Sequence, residues 1–203
     1  MAFIDFSKRE IQCKIVYYGP GRGGKTTNLL CIHKAMNENV RGEMVSINTK
    51  GDRTLFFDFL PLSLGSIRNM NIKIQLYTVP GQTMYNASRK LVLKGVDGIV
   101  FVADSLRVRK ENNIEALANM EENLKGEKID ITQIPLVMQY NKRDLVDGDI
   151  PIMPIEELEQ DLNGRLRVPV FPGSALNGNG VFETLREISK ITVKHVHEKL
   201  IKR

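Results

Sequence analysis

A glycine-rich segment that ends in lysine and threonine is the part of this sequence whose residue types and spacing indicate chemistry most clearly. Residues 19–26, GPGRGGKT, match the pattern GxxxxGK[ST] in full, between an apolar run and a helical pattern. Glycines let backbone N–H groups turn towards phosphate oxygens, and the start of the following helix favours the same anion. The residues predicted to hold phosphates are Gly19, Gly21, Arg22, Gly23, Gly24, Lys25, Thr26 and Thr27.

Two side chains of this segment have predicted chemical roles. The Lys25 ammonium would neutralise the β and γ phosphates of a nucleotide, and the Thr26 hydroxyl is placed to ligate Mg²⁺, which prefers hard oxygen ligands. An ordinary glycine turn would not require this lysine and this threonine at these positions. The segment therefore predicts a nucleotide-phosphate site that uses Mg²⁺.

A second motif indicates which base is bound. Residues 141–144, NKRD, directly follow the apolar run 135–140, so they are expected at the carboxyl edge of a sheet, near the glycine loop. The Asp144 carboxylate can accept hydrogen bonds from guanine N1–H and the 2-amino group, whereas adenine has neither donor. ATP would leave Asp144 without partners, which is costly. Alone the tetrapeptide fits a polar loop; with the glycine loop it favours GTP and GDP.

A third element, Gly173-Ser174-Ala175, follows a short apolar run, and its backbone could reach guanine O6. By itself it is weak, because such a tripeptide often begins a helix. The residues predicted to contact guanine are Asn141, Lys142, Asp144, Ser174, Ala175 and Leu176.

The elements that must position these residues alternate along the chain between strand-length apolar runs and stretches of helical period. This pattern predicts an α/β fold of the three-layer P-loop type, a single domain over 1–203 with a mostly parallel sheet of about six strands and helices on both faces. Strands are predicted at 11–18, within 37–54, and at 55–60, 72–79, 98–103, 135–140 and 168–171. Helices are predicted at 25–35, 84–93, 109–124, 155–162 and from 181 to near the end.

Two of these helices have faces that the sequence assigns. An apolar stripe expected to dock the last helix on the sheet consists of Leu185, Ile188, Thr192, Val196 and Leu200. The basic residues expected on the solvent side of helix 84–93 are Arg89, Lys90 and Lys94.

Composition limits the class of protein. With 203 residues and 42% hydrophobic residues the chain can bury one core, and two cysteines without a CxxC pair indicate neither a disulfide framework nor zinc, which fits a cytoplasmic location. The net charge of +5 includes a basic C-terminal cluster interpreted as the solvated face of a helix, so no nucleic-acid partner is expected. No apolar run approaches a membrane span, and Ala2 and the terminal LIKR argue against lipidation, so at most peripheral membrane association is expected.

Over almost its whole length the chain resembles Ras-like small GTPases, and three segments resemble the MglA-type bacterial members of cell polarity and gliding motility. The segments are KIVYYGPG at 14–21, DRTLFFDFLPL at 52–62 and YTVPGQ at 77–82. The resemblance implies a cytoplasmic GTP/GDP switch that recruits polar machinery when GTP-bound. It also implies an MglB-type roadblock-domain activator as partner.

The resemblance assigns roles to particular residues. Thr54 corresponds to the switch I threonine that completes Mg²⁺ coordination, and Gly81 to the switch II glycine whose N–H touches the γ-phosphate. Gln82 would orient the attacking water. Arg53 is similar to the intrinsic arginine finger of the MglA group and would stabilise the transition state together with Lys25, although a surface arginine in a loop is the alternative.

One departure from most small GTPases affects the metal. Thr78 stands where the Asp-x-x-Gly motif of switch II has its aspartate, so Mg²⁺ would be held less tightly or be supported by Asp52 or Asp58. MglA-like proteins share this departure. Hydrolysis is expected to be slow, on the order of 10⁻⁴ to 10⁻² per second, until a partner orders the site.

Two other functions remain open at this stage. Another P-loop class, an ATPase or small-molecule kinase, would explain residues 19–26 but leave 141–144 unused. A module that binds GTP without hydrolysing it is made reasonable by Thr78.

Overall fold

The computed structural model describes residues 3–5, 7–48, 56–67, 69–82 and 85–201, which include one sheet of eight strands. The strands are β1 Phe3–Asp5, β2 Glu10–Tyr18, β3 Val45–Asn48, β4 Phe56–Ile67, β5 Met70–Thr78, β6 Gly98–Asp104, β7 Leu136–Asn141 and β8 Val170–Pro172. The α-helices are α1 Lys25–Ala35, α2 Asn86–Leu93, α3 Lys110–Gly126, α4 Ile155–Leu158 and α5 Val181–Ile201.

The sheet has the order β3-β4-β5-β2-β6-β7-β8, and β1 pairs with β2. The pairs β5-β2, β2-β6, β6-β7 and β7-β8 are parallel, whereas β3-β4, β4-β5 and β1-β2 are antiparallel. Strands β6 and β7 are buried at every position, as expected for strands covered on both faces. The predicted α/β fold with a mostly parallel sheet is confirmed.

Two hydrophobic clusters lie on opposite faces of the sheet. One takes its helical residues from α1 and α5, and the other from α2, α3 and α4. Because every long strand contributes alternate side chains to the two clusters, the sheet is fixed from both sides. The carboxyl ends of β2, β6 and β7 are thereby held at one edge.

Some predicted boundaries are wrong. The short strand β1 was not predicted, since three residues give no usable periodicity, and β4 continues through Pro61 to Ile67 instead of ending before the proline. Pro61 lies beyond the last β3–β4 pair, Val45 with Phe59, so its missing N–H interrupts no hydrogen bond of that ladder. Gly42 lies against its ring: a Cβ on Gly42 would come within 2.6 Å of the proline Cγ. The Gly42 N–H donates to the Pro61 carbonyl at 2.9 Å. The helix predicted over 155–162 is α4 followed by a π-helical turn, Glu159–Asn163.

The expected solvent side of α2 is partly wrong. Lys90 and Lys94 are exposed, but Arg89 is fully buried. Its guanidinium donates to the carbonyls of Pro80 and Gly81 and to a side-chain oxygen on α3. These hydrogen bonds compensate the loss of hydration that a buried charge would otherwise suffer. Amphipathic spacing alone does not reveal such partners.

Helix α5 docks on the sheet through the predicted stripe, in which Leu185, Ile188, Thr192 and Val196 are buried; the side chain of Leu200 lies outside the described part. Lys190, Lys194 and Lys199 are exposed, which confirms a solvated position for these members of the basic cluster; its other members, Lys202 and Arg203, lie outside the described residues. None of the helices in the described ranges has the length and apolar character that crossing a membrane requires.

We predict that Gly98→Ala destabilises the protein, because the new Cβ would lie 2.1 Å from Thr192 Oγ1 and 3.3 Å from Ile188 Cδ1 and would push α5 away from β6. Urea unfolding with saturating GDP should show a loss of about 1–3 kcal/mol. Gly126→Ala is the control, since no atom lies within 4 Å of that Cβ. It should leave the free energy of unfolding unchanged or raise it by up to about 1 kcal/mol, since alanine is favoured over glycine in a helix. Equal effects of the two substitutions would contradict the packing argument.

Candidate functional site

The glycine loop between β2 and α1 approaches the neighbouring strands too closely for any side chain at two positions. Gly19 has φ +141°, and a Cβ there would lie 2.2 Å from the carbonyl oxygen of Val102 on β6. Gly24 has φ +96°, and its Cβ would lie 2.1 Å from Asn141 Nδ2 on β7. Both positions therefore require glycine, for conformation and for space.

Helix α1 begins at Lys25 with no side chain capping its N-terminus and no acidic residue in its first turn. The first N–H groups of a helix have no partners within the helix and carry partial positive charge, so this end favours an anion. A cleft of about 420 Å³ opens here. Its lining includes Arg22, Gly24, Lys25, Thr26, Thr27, Asp58, Thr78 and Gly81.

Lys25 lies over the glycine loop and is 6% exposed. Its Nζ donates to the carbonyl oxygens of Gly19 at 3.1 Å and Pro20 at 2.7 Å. Burial lowers the pKa of Lys25 to about 7; the positive charges of Arg89 and Arg109 act in the same direction, and Asp58 opposes them. A phosphate beside this amine would favour its charged form, so the site is electrostatically suited to a polyanion.

Asp58 lies at the centre of a cluster of hydroxyl groups beside the loop. Its Oδ2 accepts hydrogen bonds from Thr26 Oγ1 at 2.6 Å and Thr78 Oγ1 at 2.9 Å, and its Oδ1 accepts from Ser46 Oγ at 2.7 Å. Ser46, Asp58 and Thr78 come from the adjacent strands β3, β4 and β5. A carboxylate from the neighbouring strand therefore lies beside Thr78.

Asn141 joins the glycine loop to the loop after β8. Its Nδ2 donates to the Gly23 carbonyl at 2.8 Å, and its Oδ1 accepts from the Ala175 N–H at 2.8 Å. Asn141 is 3% exposed, so both bonds are shielded from water. The structure therefore brings the three predicted sequence motifs together at one edge of the sheet.

The other residues predicted to contact guanine surround this junction. Lys142 has φ +70° and its Nζ binds Asp104 Oδ2 at 2.6 Å. Ser174 is buried, whereas Asp144 and Leu176 are exposed. Asp144 follows Arg143, whose N–H donates to the Gly173 carbonyl at 3.0 Å, and Leu176 follows Ala175, so both exposed residues belong to the loops that Asn141 links.

Gly21, Gly81 and Gln82 lie at a second cleft, of about 380 Å³, next to the first. Gly81 lines both clefts, and a Cβ on it would lie 2.2 Å from Gly21 Cα, so this turn packs directly on the glycine loop. Gln82 is exposed and lines the second cleft, not the one that contains Lys25.

Arg53, Thr54 and Asp52 lie outside the described residues, so the predicted arginine finger, the predicted switch I metal ligand and the alternative acid stay predictions.

Sequence reasoning missed residues that support the loops. Arg109 donates from Nη2 to the Gly21 carbonyl at 2.6 Å, and its Nε lies 3.8 Å from Asp104, which also binds Lys142. Asp104 is fully buried and thus connects the glycine loop to the 141–144 motif. The available signal was an acidic residue that ends a continuous apolar strand. Buried charges of that kind need partners.

Comparison with known proteins agrees with this geometry. The model of the ADP-ribosylation factor family matches residues 2–192. The chain therefore belongs to the ADP-ribosylation factor family, and it is a small GTPase that hydrolyses GTP to GDP and phosphate.

Individual relatives indicate which type of small GTPase the chain resembles. The chain is 52% identical over 193 residues to the mutual gliding-motility protein MglA of Myxococcus xanthus, covering 95% of this chain and 96% of that protein. It is 25% identical over 182 residues to the ras-related protein Rab-5B of Dictyostelium discoideum, covering 90% of this chain and 76% of that protein. The resemblance to MglA-type Ras-like GTPases is confirmed.

We predict that Asn141→Ala weakens binding of GDP and GTP alike, because it removes the link between the glycine loop and the Ala175 loop. The dissociation constant, measured with fluorescent nucleotides, should rise at least about tenfold. Asn71→Ala is the matched control, since Asn71 is exposed at the start of β5, away from the loop edge. If Asn71→Ala loses as much affinity as Asn141→Ala, the hydrogen bonds of Asn141 do not explain the effect.

Proposed function

We propose that this GTPase is a molecular switch of cell polarity or gliding motility that an MglB-like roadblock-domain protein activates for hydrolysis. The observation that carries the proposal is the junction at Asn141, where the glycine loop, the 141–144 motif and the Ala175 loop share one polar side chain. The relative from Myxococcus xanthus supports the cellular role, because its name refers to gliding motility. Polarity and motility effectors would then recognise the GTP-bound form.

Guanine selection is assigned to Asp144, whose exposed carboxylate borders the junction and offers two acceptors to guanine N1–H and the 2-amino group. The Ala175 loop would lie against the base on the other side. An ATPase would leave this carboxylate unpaired. GTP and GDP are therefore the nucleotides that the residues favour.

The residues beside the loop fit Mg²⁺. Thr26, Thr78 and Asp58 present hydroxyl and carboxylate oxygens, the hard donors that this ion prefers, with room in the cleft for phosphate oxygens. Thr26 would bind the ion directly, with Thr54 completing the shell in the GTP state. Asp58 would orient Thr26 and supply the negative charge that Thr78 lacks. Mg²⁺ would neutralise charge on the β and γ phosphates.

Hydrolysis then requires few groups. Lys25 and Arg53 would stabilise charge on the transferred phosphoryl group, and Gln82 would orient the attacking water. Gln82 is exposed in the second cleft, and an activator that covers this cleft could move it towards the γ-phosphate. Unassisted turnover would be slow, about 10⁻⁴ to 10⁻² per second.

The switch itself would be the loss of contacts to the γ-phosphate. When the contacts of Thr54 and Gly81 are lost, segments 37–54 and 81–94 would rearrange and the effector surface would disappear. The GTP-bound form would work in the cytoplasm and be recruited to a cell pole by protein partners, with at most peripheral contact with the membrane.

A second candidate is a GTP-binding scaffold with negligible hydrolysis. The observation in its favour is Thr78, since an uncharged residue stands where an acidic one is usual. Turnover measurements with a roadblock partner distinguish the two candidates.

We predict that Asp58→Asn raises the Mg²⁺ concentration needed to retain GDP by about tenfold, because an amide of the same shape keeps one acceptor oxygen but loses the charge. GDP release followed by fluorescence across a Mg²⁺ titration measures this. Adding Thr78→Asp to Asp58→Asn should restore retention, since a carboxylate returns to the site from the adjacent strand. Asp149→Asn, an exposed change elsewhere, should have no effect. If the Mg²⁺ dependence of GDP retention is unchanged in Asp58→Asn, Asp58 does not support the metal.

We predict that Gln82→Ala retains GTP binding but loses at least about a hundredfold of the turnover stimulated by an MglB-type roadblock protein. Phosphate release from GTP, with and without the partner, is the measurement, and ATP in parallel tests the nucleotide. Gln133→Ala is the control, because Gln133 is exposed before β7 at the opposite edge. Stimulation of the wild type is required; its absence would favour the scaffold.

A further inference from the structure

We propose that Arg89 is a positioning residue that holds the switch II turn so that the amide of Gly81 faces the γ-phosphate of GTP. This inference rests on the proposed role of Gly81 and adds what keeps its amide in place. In this inference, the buried side chain of Arg89 helps the site to distinguish GTP from GDP.

The guanidinium of Arg89 binds both carbonyls of the turn. Its Nε donates to the Pro80 oxygen at 2.9 Å, and its Nη2 donates to the Gly81 oxygen at 2.7 Å. The side chain is fully buried, so neither bond competes with bulk water. Charge-assisted bonds in such surroundings are stronger than ordinary ones.

Peptide planarity turns these carbonyl contacts into control of the amides. In a trans peptide the C=O of one residue and the N–H of the next point in opposite directions. With the Pro80 carbonyl on the Arg89 side, the Gly81 N–H faces away from Arg89; the same holds for the Gly81 carbonyl and the Gln82 N–H. Gly81 lies in the wall between the cleft that Arg89 lines and the cleft that contains Lys25. The Gly81 amide is therefore directed towards the phosphate side.

Arg89 is in turn fixed from outside the switch. Its Nη1 donates to Asn119 Oδ1 on α3 at 2.6 Å, and Tyr18 Oη on β2 donates to the same oxygen at 2.7 Å. Asn123 Nδ2 donates to Tyr18 Oη at 3.1 Å, which ties the phenol to α3 as well. The guanidinium also lies 5.4 Å from the centre of the Tyr18 ring. The turn is thus held by a rigid strand and helix.

This arrangement affects one nucleotide more than the other. GDP has no γ-phosphate, so only GTP gains from a Gly81 amide that already has the right orientation. Without Arg89 the two peptides can rotate, and ordering them would weaken the binding of GTP alone. A purely structural role would instead lower the affinities for both nucleotides together.

The test compares Arg89→Met, Arg89→Lys and Asn119→Ala with wild type and with Lys90→Met, which removes an exposed charge from the same helix. Dissociation constants for GDP and for a non-hydrolysable GTP analogue are measured with Mg²⁺. In Arg89→Met the dissociation constant of the analogue should rise about tenfold and that of GDP less than about twofold. Arg89→Lys keeps the charge but cannot hold both carbonyls, so an intermediate loss is expected.

Asn119→Ala should also lose affinity for the analogue alone, by a smaller factor than Arg89→Met. If Arg89→Met does not fold, Asn119→Ala replaces it in the comparison. Lys90→Met should match wild type. The inference is overturned if the affinities for GDP and for the analogue fall equally. It is also overturned if Arg89→Lys and Asn119→Ala both keep the wild-type affinity for the analogue.

A second measurement separates this inference from the proposed function. The Gly81 amide proton is followed by NMR in the GDP form and in the form with the GTP analogue. A shift between the two forms in wild type that is lost in Arg89→Met supports the proposal. A shift that persists in Arg89→Met overturns the role of Arg89 and leaves the proposed contact of Gly81 intact. No shift in wild type overturns the proposed contact of Gly81 with the γ-phosphate, and the inference with it.

Discussion

Close contact between the glycine loop and the ends of two neighbouring strands is the constraint on which the site depends. Gly19 lies against the backbone of β6 at Val102, and Gly24 lies against Asn141 at the end of β7. Because neither position has space for a Cβ, the loop can take only this path between β2 and α1. The path directs the N-terminus of α1 and the Lys25 amine to one cleft. A cleft suited to phosphate therefore follows from strand order and glycine placement.

Asp58, the acid that is proposed to support Mg²⁺, lies on β4, whereas the residue at the Asp-x-x-Gly position on β5 is Thr78. An antiparallel neighbour places Asp58 of β4 beside Thr78 of β5, and the two side chains share a hydrogen bond at 2.9 Å. Thr78 also accepts from the Asp58 backbone N–H at 2.9 Å, so it serves as an orienting group for the acid. With threonine at position 78, the carboxylate of this cluster lies on the next strand, within hydrogen-bond distance of Thr26.

Much of the fold was predictable because its signals are local. The glycine motif and the helical period give α1 its observed bounds, and continuous apolar runs locate β6 and β7. The junction at Asn141 was foreseeable in outline, since parallel strands bring their carboxyl ends together. The burial of Arg89 was not, because its partners are the carbonyls of a turn and a side chain on α3, which helical spacing does not indicate. The contact of Asp58 with Thr26 was not, because these residues lie on elements distant in sequence. The sequence offered Asp58 only as an alternative to Asp52.

The two halves of the sheet differ in how firmly they are held, and this difference suits a switch. β2, β6 and β7 each pair on both sides and are covered by helices on both faces, so the loops after them have fixed positions. β3 is an edge strand that pairs only with β4 in the described sheet, and edge elements open at lower free energy than central ones. Ser46 of β3 nevertheless donates to Asp58, so the acid that is proposed to support Mg²⁺ contacts the edge strand. Under the proposed function, a change at the phosphates would reach the edge strand through Asp58, while the central strands would keep the nucleotide bound.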